Sequence, residues 1–143
     1  ETTAQALGVS LRRYLIREIG ELESALAAMI NGQAEALLVV PHPTLNNSAQ
    51  RIVEFAAQNR LPAIYPIRSY VEAGGLMAYT NDELEVPRRL GGYVDRILRG
   101  AKPGDLPVEQ PTRFMLILNL KTAKVLELTI PRTLLIQADE VIR

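Results

Sequence analysis

The residue types able to do chemistry fall in three short clusters. The first is Tyr79-Thr80-Asn81-Asp82, which comes after the glycine pair Gly74-Gly75 and the apolar run Leu76-Met77-Ala78. A tyrosine offers a flat apolar face with a polar tip, suited to a planar solute. Paired glycines give the backbone φ values closed to other residues, which suits a hinge or the close approach of a ligand. Asn81 and Asp82 read more simply as caps of the next helix.

The second cluster is Tyr65-Pro66-Ile67-Arg68-Ser69. An arginine fork can hold a ligand carboxylate through two parallel hydrogen bonds, or it can stabilise a nearby helix end. Tyr65 can stack on an aromatic solute, or lie in the core with its hydroxyl satisfied. The third is Pro41-His42-Pro43-Thr44 with Asn46 and Asn47, where the asparagines are ordinary turn residues. His42 is the chain's single histidine, and nothing in the pattern pairs it with a nucleophile or an orienting carboxylate. It reads as a ligand contact or a solvent-facing residue, not a base. The candidate ligand-binding residues are therefore Tyr79, Thr80, Tyr65, Arg68, Ser69, His42 and Pro43, with Gly74 and Gly75 as candidate hinge positions.

Composition removes several function classes. Lysine plus arginine equals aspartate plus glutamate at sixteen each, with no long run of one sign, so nucleic acid and anionic membrane are poor partners. Aromatic residues are 5% and tryptophan is absent, which leaves neither a base-stacking platform nor an interfacial belt. Without cysteine there are no disulfides, thiolate metal sites or thiol nucleophiles. One histidine and scattered acids specify no metal site, and no phosphate-cradling glycine motif supports a nucleotide cofactor. The expectation is a non-enzymatic protein without cofactor or metal. Apolar runs such as 36–40 are far shorter than the ~18 residues of a membrane span, so direct membrane insertion is not expected.

The elements that must position these clusters alternate between helical and strand patterns. Residues 1–7 read as the end of a helix stopped by Gly8. Residues 9–19 alternate Leu11, Arg13 and Leu15 with polar neighbours and predict a half-buried strand. Leu22, Leu26, Met29 and Ile30 fall at helical spacing before Asn31-Gly32. The run ALLVVP predicts a buried parallel strand. Ser48 is positioned to cap a helix whose inner face is Ile52, Val53, Phe55 and Ala56, and 61–66 predicts a further short strand. Beyond Pro66 come a short helix with Ser69 as a possible cap, a strand GLMAYT, and a helix over 86–100 with Leu90, Tyr93, Val94, Ile97 and Leu98 on one stripe. Gly91-Gly92 within that stripe suggests close packing against another element. A proline-rich connection leads to the strand RFMLILNL, a short helix KTAKVLEL, and a closing segment TLLIQADEVIR spaced for docking. Strands joined by helices through brief connections imply right-handed crossovers and a parallel sheet. Ligands of such sheets bind beyond the carboxyl ends of the strands, where all three clusters lie.

The motifs GGLMAY (74–79), YVDRILRGAKPGDLPVEQP (93–111) and NLKTAK (119–124) occur in that order, and with LLIQADEVI they resemble the carboxyl-terminal half of a bacterial ABC-transporter solute-binding family that includes tryptophan- and tyrosine-binding lipoproteins. The resemblance covers nearly the whole chain. It implies an α/β lobe of the type I periplasmic-binding fold, with flavodoxin-like parallel-sheet βαβ units plus segments that cross a hinge. Residues 1–78 would be the second-lobe core. Residues 79–102 would form the hinge crossing and a helix packed on the first lobe, and 103–143 the return strand and carboxyl-terminal helical segments. The implied function is capture of an aromatic amino acid, or another aromatic or carboxylate compound, between two lobes for an ABC importer. Its partners would be permease subunits and a first lobe of the same protein or a swapped homodimer, in a periplasmic or membrane-anchored extracytoplasmic setting. A ligand-sensing domain of a signalling protein is the alternative on the same fold. Two positions depart from the family pattern. Ala78-Tyr79-Thr80 stands where members commonly have Ser-Tyr-Gly, which puts a polar contact at 78 in doubt. Glu127 replaces a glycine after the short helix, which should change only how that helix ends.

Overall fold

The computed structural model describes residues 2–82 and 85–143, and the chain divides into two units, Glu1–Glu35 and Ala36–Arg143. In the first, helix α1 (Thr2–Ala6) stops at Gly8, whose φ of 67° is the left-handed conformation expected there. Helix α2 (Leu22–Asn31) buries Leu22, Leu26 and Met29, as their spacing predicts. The strand expected over 9–19 does not form. Residues 9–16 are irregular and Ile19–Glu21 is a turn of 3-10 helix. An alternating sequence becomes a strand only when a neighbour completes its hydrogen-bond ladder, and no described strand pairs with this segment. Its polar side chains bond the end of α2 instead, with Arg12 donating to the Gly32 carbonyl at 3.4 Å and Tyr14 to that of Ala28 at 3.3 Å.

The second unit is a five-stranded sheet in the order β1 (Leu37–Leu38), β2 (Ala63–Tyr65), β3 (Met77–Asn81), β4 (Phe114–Asn119), β5 (Glu140–Ile142). All neighbours are parallel except β3 and β4, which run antiparallel with Tyr79 opposite Leu116 and Asn81 opposite Phe114. The expected crossovers are present. A one-turn helix α3 (Pro43–Asn46) and helix α4 (Ala49–Gln58) join β1 to β2, and α5 (Arg68–Glu72) joins β2 to β3. The face of α4 buries Ile52, Val53, Phe55 and Ala56. Helix α6 (Glu85–Leu98) separates β3 from β4; α7 (Leu120–Val125) and α8 (Arg132–Gln137) precede β5.

Three local expectations are corrected. Ser48 occupies the cap position of α4, yet its hydroxyl donates back to the Thr44 carbonyl at 3.3 Å. Ile67, not Ser69, precedes α5, and Ser69 lies inside that helix on an exposed face. The closing segment is not wholly helical, because Glu140–Ile142 forms a strand parallel to β4.

The core centres on Tyr65, Tyr70, Val71, Ala78, Ile117 and Leu118, all almost fully buried. The rings of Tyr65 and Tyr70 stack at 4.8 Å with 15° between their planes. Burial raises the pKa of both phenols, that of Tyr70 to about 12. The Tyr70 hydroxyl has no hydrogen-bond partner among the described residues.

Helix ends are built to one recipe. After α5, the Gly75 amide bonds the Tyr70 carbonyl at 2.8 Å and the Gly74 amide that of Val71 at 3.0 Å, the paired bonds of a Schellman motif with Gly74 left-handed at φ 103°. The same bonds end α7, where the Leu128 amide reaches Ala123 and the Glu127 amide reaches Lys124. Here the left-handed residue is Glu127, at φ 58°. So the departure at 127 does place a side chain where a glycine fits without strain. Glu127 lies near Arg60, at 3.7 Å, which ends α4 in the same conformation. Both side chains are well exposed, so the pair contributes little. Replacing Glu127 by glycine is expected to stabilise the protein by about 0.5–1 kcal/mol, because the relieved left-handed strain exceeds the added unfolded-state entropy. Urea unfolding should show the higher midpoint at unchanged slope; a lower midpoint would mean that the Arg60 contact outweighs the strain.

Candidate functional site

Because β1, β2 and β3 are parallel, their carboxyl ends leave the sheet along one edge, and each delivers one of the three clusters there. What each cluster presents differs. Past β1, His42 is exposed and caps α3, its Nδ1 accepting from the Thr44 amide at 3.3 Å, with Pro43 in the first turn of that helix. Past β2, Tyr65 is only 2% exposed and its ring lies in the core against Tyr70, the alternative in which it is a packing residue.

Arg68 stands at the head of α5. Its Nη1 and Nη2 donate to the two carboxylate oxygens of Glu140 at 2.5 and 2.7 Å, and its Nε to Glu72 at 2.7 Å. The hydrogen bonds from Arg68 hold the Glu140 carboxyl below its ordinary pKa. The fork therefore fastens β5 to α5 across 72 residues of sequence. A solute carboxylate would have to displace Glu140 to use it. Sequence patterns give no route to this partner, since Glu140 carries no local signal and its strand is not predicted by spacing.

Along β3 itself the alternation of the strand decides which residues face outward. Ala78 and Thr80 point into the core at 0% and 7% exposure, whereas Tyr79 is 54% exposed. Position 78, where the family pattern suggests a polar contact, is thus on the opposite face from Tyr79. Cross-strand register puts Phe114 on Tyr79's face, diagonal to it. The two rings stack at 5.4 Å with 9° between their planes, and Phe114 is 48% exposed. Phe114 escapes sequence reasoning because it sits in an uninterrupted apolar run; the pairing of β3 with β4 is what places it beside Tyr79.

The glycine pair lies at the end of a helix. Gly74 and Gly75 form the stop of α5, and of the two only Gly74 has a positive φ. Around them the motifs GGLM and NLKT interlock: Thr122 Oγ1 donates to the Gly74 carbonyl at 2.8 Å and Asn119 Nδ2 to that of Val71 at 3.4 Å. Asn119 Oδ1 also caps α7 by accepting from the Thr122 amide at 3.2 Å.

Helix α6 carries the third motif and buries none of its residues. Val86, Leu90, Val94, Ile97 and Leu98 are exposed. A Cβ on Gly91 or Gly92 would meet nothing within 4 Å, so the close packing expected at these glycines is not made by any described residue. An amphipathic helix with an open apolar face is thus exposed among the described residues.

No described group of histidine or acidic residues could hold a metal ion, and no described helix is long and apolar enough to cross a membrane. The mainly parallel sheet, its helical crossovers and the antiparallel β3–β4 pair leading to and from α6 define a lobe of the periplasmic-binding-protein type. The chain belongs to the ABC transporter substrate binding protein family, whose model matches residues 1–142. Among solved structures it is similar to the ABC domain in complex with L-Trp from Streptococcus pneumonia, with 26% identity and a TM-score of 0.89 over 99% of this chain and 48% of that one. A conserved domain protein from Vibrio cholerae shares the fold at 24% identity and a TM-score of 0.88, over 98% of this chain and 47% of that one. So does a ligand-free, open substrate binding protein with adhesive properties from Clostridium difficile, at 19% identity and a TM-score of 0.65, over 99% and 47% respectively. The chain thus spans about half the length of the solved structures it matches. No curated protein matches the sequence.

Proposed function

We propose that this chain forms one wall of the solute-binding cleft of a bacterial ABC importer, and that Tyr79 and Phe114 are the part of that wall a planar solute meets. The observation that carries the reading is the stacked, half-exposed pair on the two strands that lead to and return from α6. Aromatic rings left open to water on a sheet face are costly to a free lobe and useful in a cleft. The L-Trp complex of the similar Streptococcus pneumonia domain supports an aromatic amino acid, or a related aromatic or carboxylate compound, as the solute.

The opposite wall is a second α/β lobe, supplied by the same protein or by a swapped second copy, and it covers the apolar stripe of α6. The lobe works by capture and closure without covalent chemistry, and permease subunits receive the solute in an extracytoplasmic compartment. His42, Pro43, Ser69 and Thr80 line or border the same edge, with Thr80 acting from beneath the surface.

A thermal-shift series on the protein with both lobes tests the reading, using aromatic amino acids, aromatic acids and branched-chain solutes. Planar solutes should raise the melting temperature in a concentration-dependent way. A shift with branched-chain solutes alone, or with none of the three classes, would contradict it.

A further inference from the structure

We infer that Arg89 is the hub of a clasp that joins α6 to the returning segment 109–113, so that the two move as one body with the sheet end at Asp82 and Arg113. The outgoing crossing leaves β3 at Asp82 and the returning one enters β4 at Arg113. These ends already touch, as the Asp82 amide donates to the Arg113 carbonyl at 3.2 Å and the side chains approach to 3.5 Å.

Arg89 then ties helix to return segment. Its Nη1 donates to Glu109 Oε2 at 3.0 Å and to the Gln110 carbonyl at 3.3 Å. Its Nη2 donates to Glu85 Oε1 at 2.5 Å and to Thr112 Oγ1 at 2.9 Å. The Thr112 hydroxyl passes the chain on to Glu85 Oε1 at 3.1 Å, and the Arg113 amide donates to Glu85 Oε2 at 3.3 Å. Further along α6, Tyr93 donates its hydroxyl to the Pro107 carbonyl, while Arg96 lies over the Tyr93 ring at 4.7 Å and 3.9 Å from Glu109.

Isolated surface ion pairs are weak, but geometry of this kind is the exception: several charges share one network with multiple hydrogen bonds from one guanidinium. The Glu85 side chain is 16% exposed within it. By contrast Arg99, just past the end of α6, and Asp95 within it form a pair with side chains 78% and 58% exposed. The bonds that Arg89 and Glu85 make to the return segment span 20 to 28 residues, so the network constrains the path of the chain and not only the helix. Under the cleft reading this makes the crossing bend as a unit; the coupling itself does not depend on any solute.

Amide hydrogen exchange on the whole protein tests the clasp. Arg89→Met should speed exchange about tenfold or more, both at the Glu85 amide of α6 and at Asp82 and Arg113, since it opens a charge-assisted network locally. Arg99→Met should change neither segment, and Thr112→Val should move both in the same sense by less. Faster exchange confined to α6, or Arg89→Met matching Arg99→Met, would overturn the clasp. If Arg89→Met does not fold, Thr112→Val decides: a change on both sides of the loop supports the clasp and a one-sided or absent change refutes it. Failure of solute binding in the thermal-shift series would leave these outcomes unaffected.

Discussion

Gly75→Ala should destabilise the protein by about 3 kcal/mol, the upper part of the usual range for overpacking a rigid site. A Cβ at position 75 would lie 2.5 and 2.9 Å from ring atoms of Tyr65 and 2.7 Å from the Tyr70 carbonyl oxygen. None of these neighbours can give way easily. The Tyr65 ring is stacked on Tyr70, and that carbonyl accepts the bond that ends α5. Gly74→Ala makes the informative comparison. Its left-handed φ is strained for alanine, but the new Cβ would meet only Val53, at 3.8 Å. It should cost about 1 kcal/mol. Urea unfolding of both variants separates the two roles, and a loss for Gly75→Ala no larger than that for Gly74→Ala would show that the Tyr65 ring yields to the added Cβ.

The role of the glycine motif changes accordingly. From sequence the pair resembles a pivot beside a tyrosine rim. In the structure it is a tightly packed stop, pinned by Thr122 and Asn119 from the NLKTAK motif. Flexibility fits poorly where one glycine is required by the close approach of a buried ring.

Local patterns carry much of the fold. The inner face of α4, the ends of α1 and α6 at Gly8 and Gly100, and the strands at 63–65 and 77–81 all arise from spacing and punctuation that act within a few residues. The features that sequence patterns miss are non-local. Residues 9–16 alternate like a strand but no described strand pairs with them, and β5 hides in a short charged stretch that only β4 makes a strand. The same holds for the site. Tyr79 is legible as a candidate, whereas its stacking partner Phe114 and the Arg68–Glu140 fork depend on strand order and register. Tyr65 shows the complementary error, since a tyrosine beside a proline gives no sign of whether its ring faces a cleft or the core.

Tyr79→Ala is the second large effect expected. If a planar solute lies against the exposed ring, removing it forfeits both buried apolar area and the stacking contribution, so the dissociation constant should rise about ten- to a hundredfold. Stability should change little, because the ring is half exposed and its stacking partner, Phe114, is equally open. Tyr79→Phe should retain most of the affinity if stacking dominates. An affinity loss in Tyr79→Phe as large as in Tyr79→Ala would instead assign the work to the hydroxyl.

The most direct test of the shared-cleft account is a calorimetric titration with an aromatic amino acid, comparing residues 1–143 alone with the same residues joined to the partner lobe the account proposes. The two-lobe protein should bind, with the negative heat-capacity change of apolar burial, and residues 1–143 alone should give little or no heat. Equal, tight binding by residues 1–143 alone would show that the site is complete within this chain and would contradict the account.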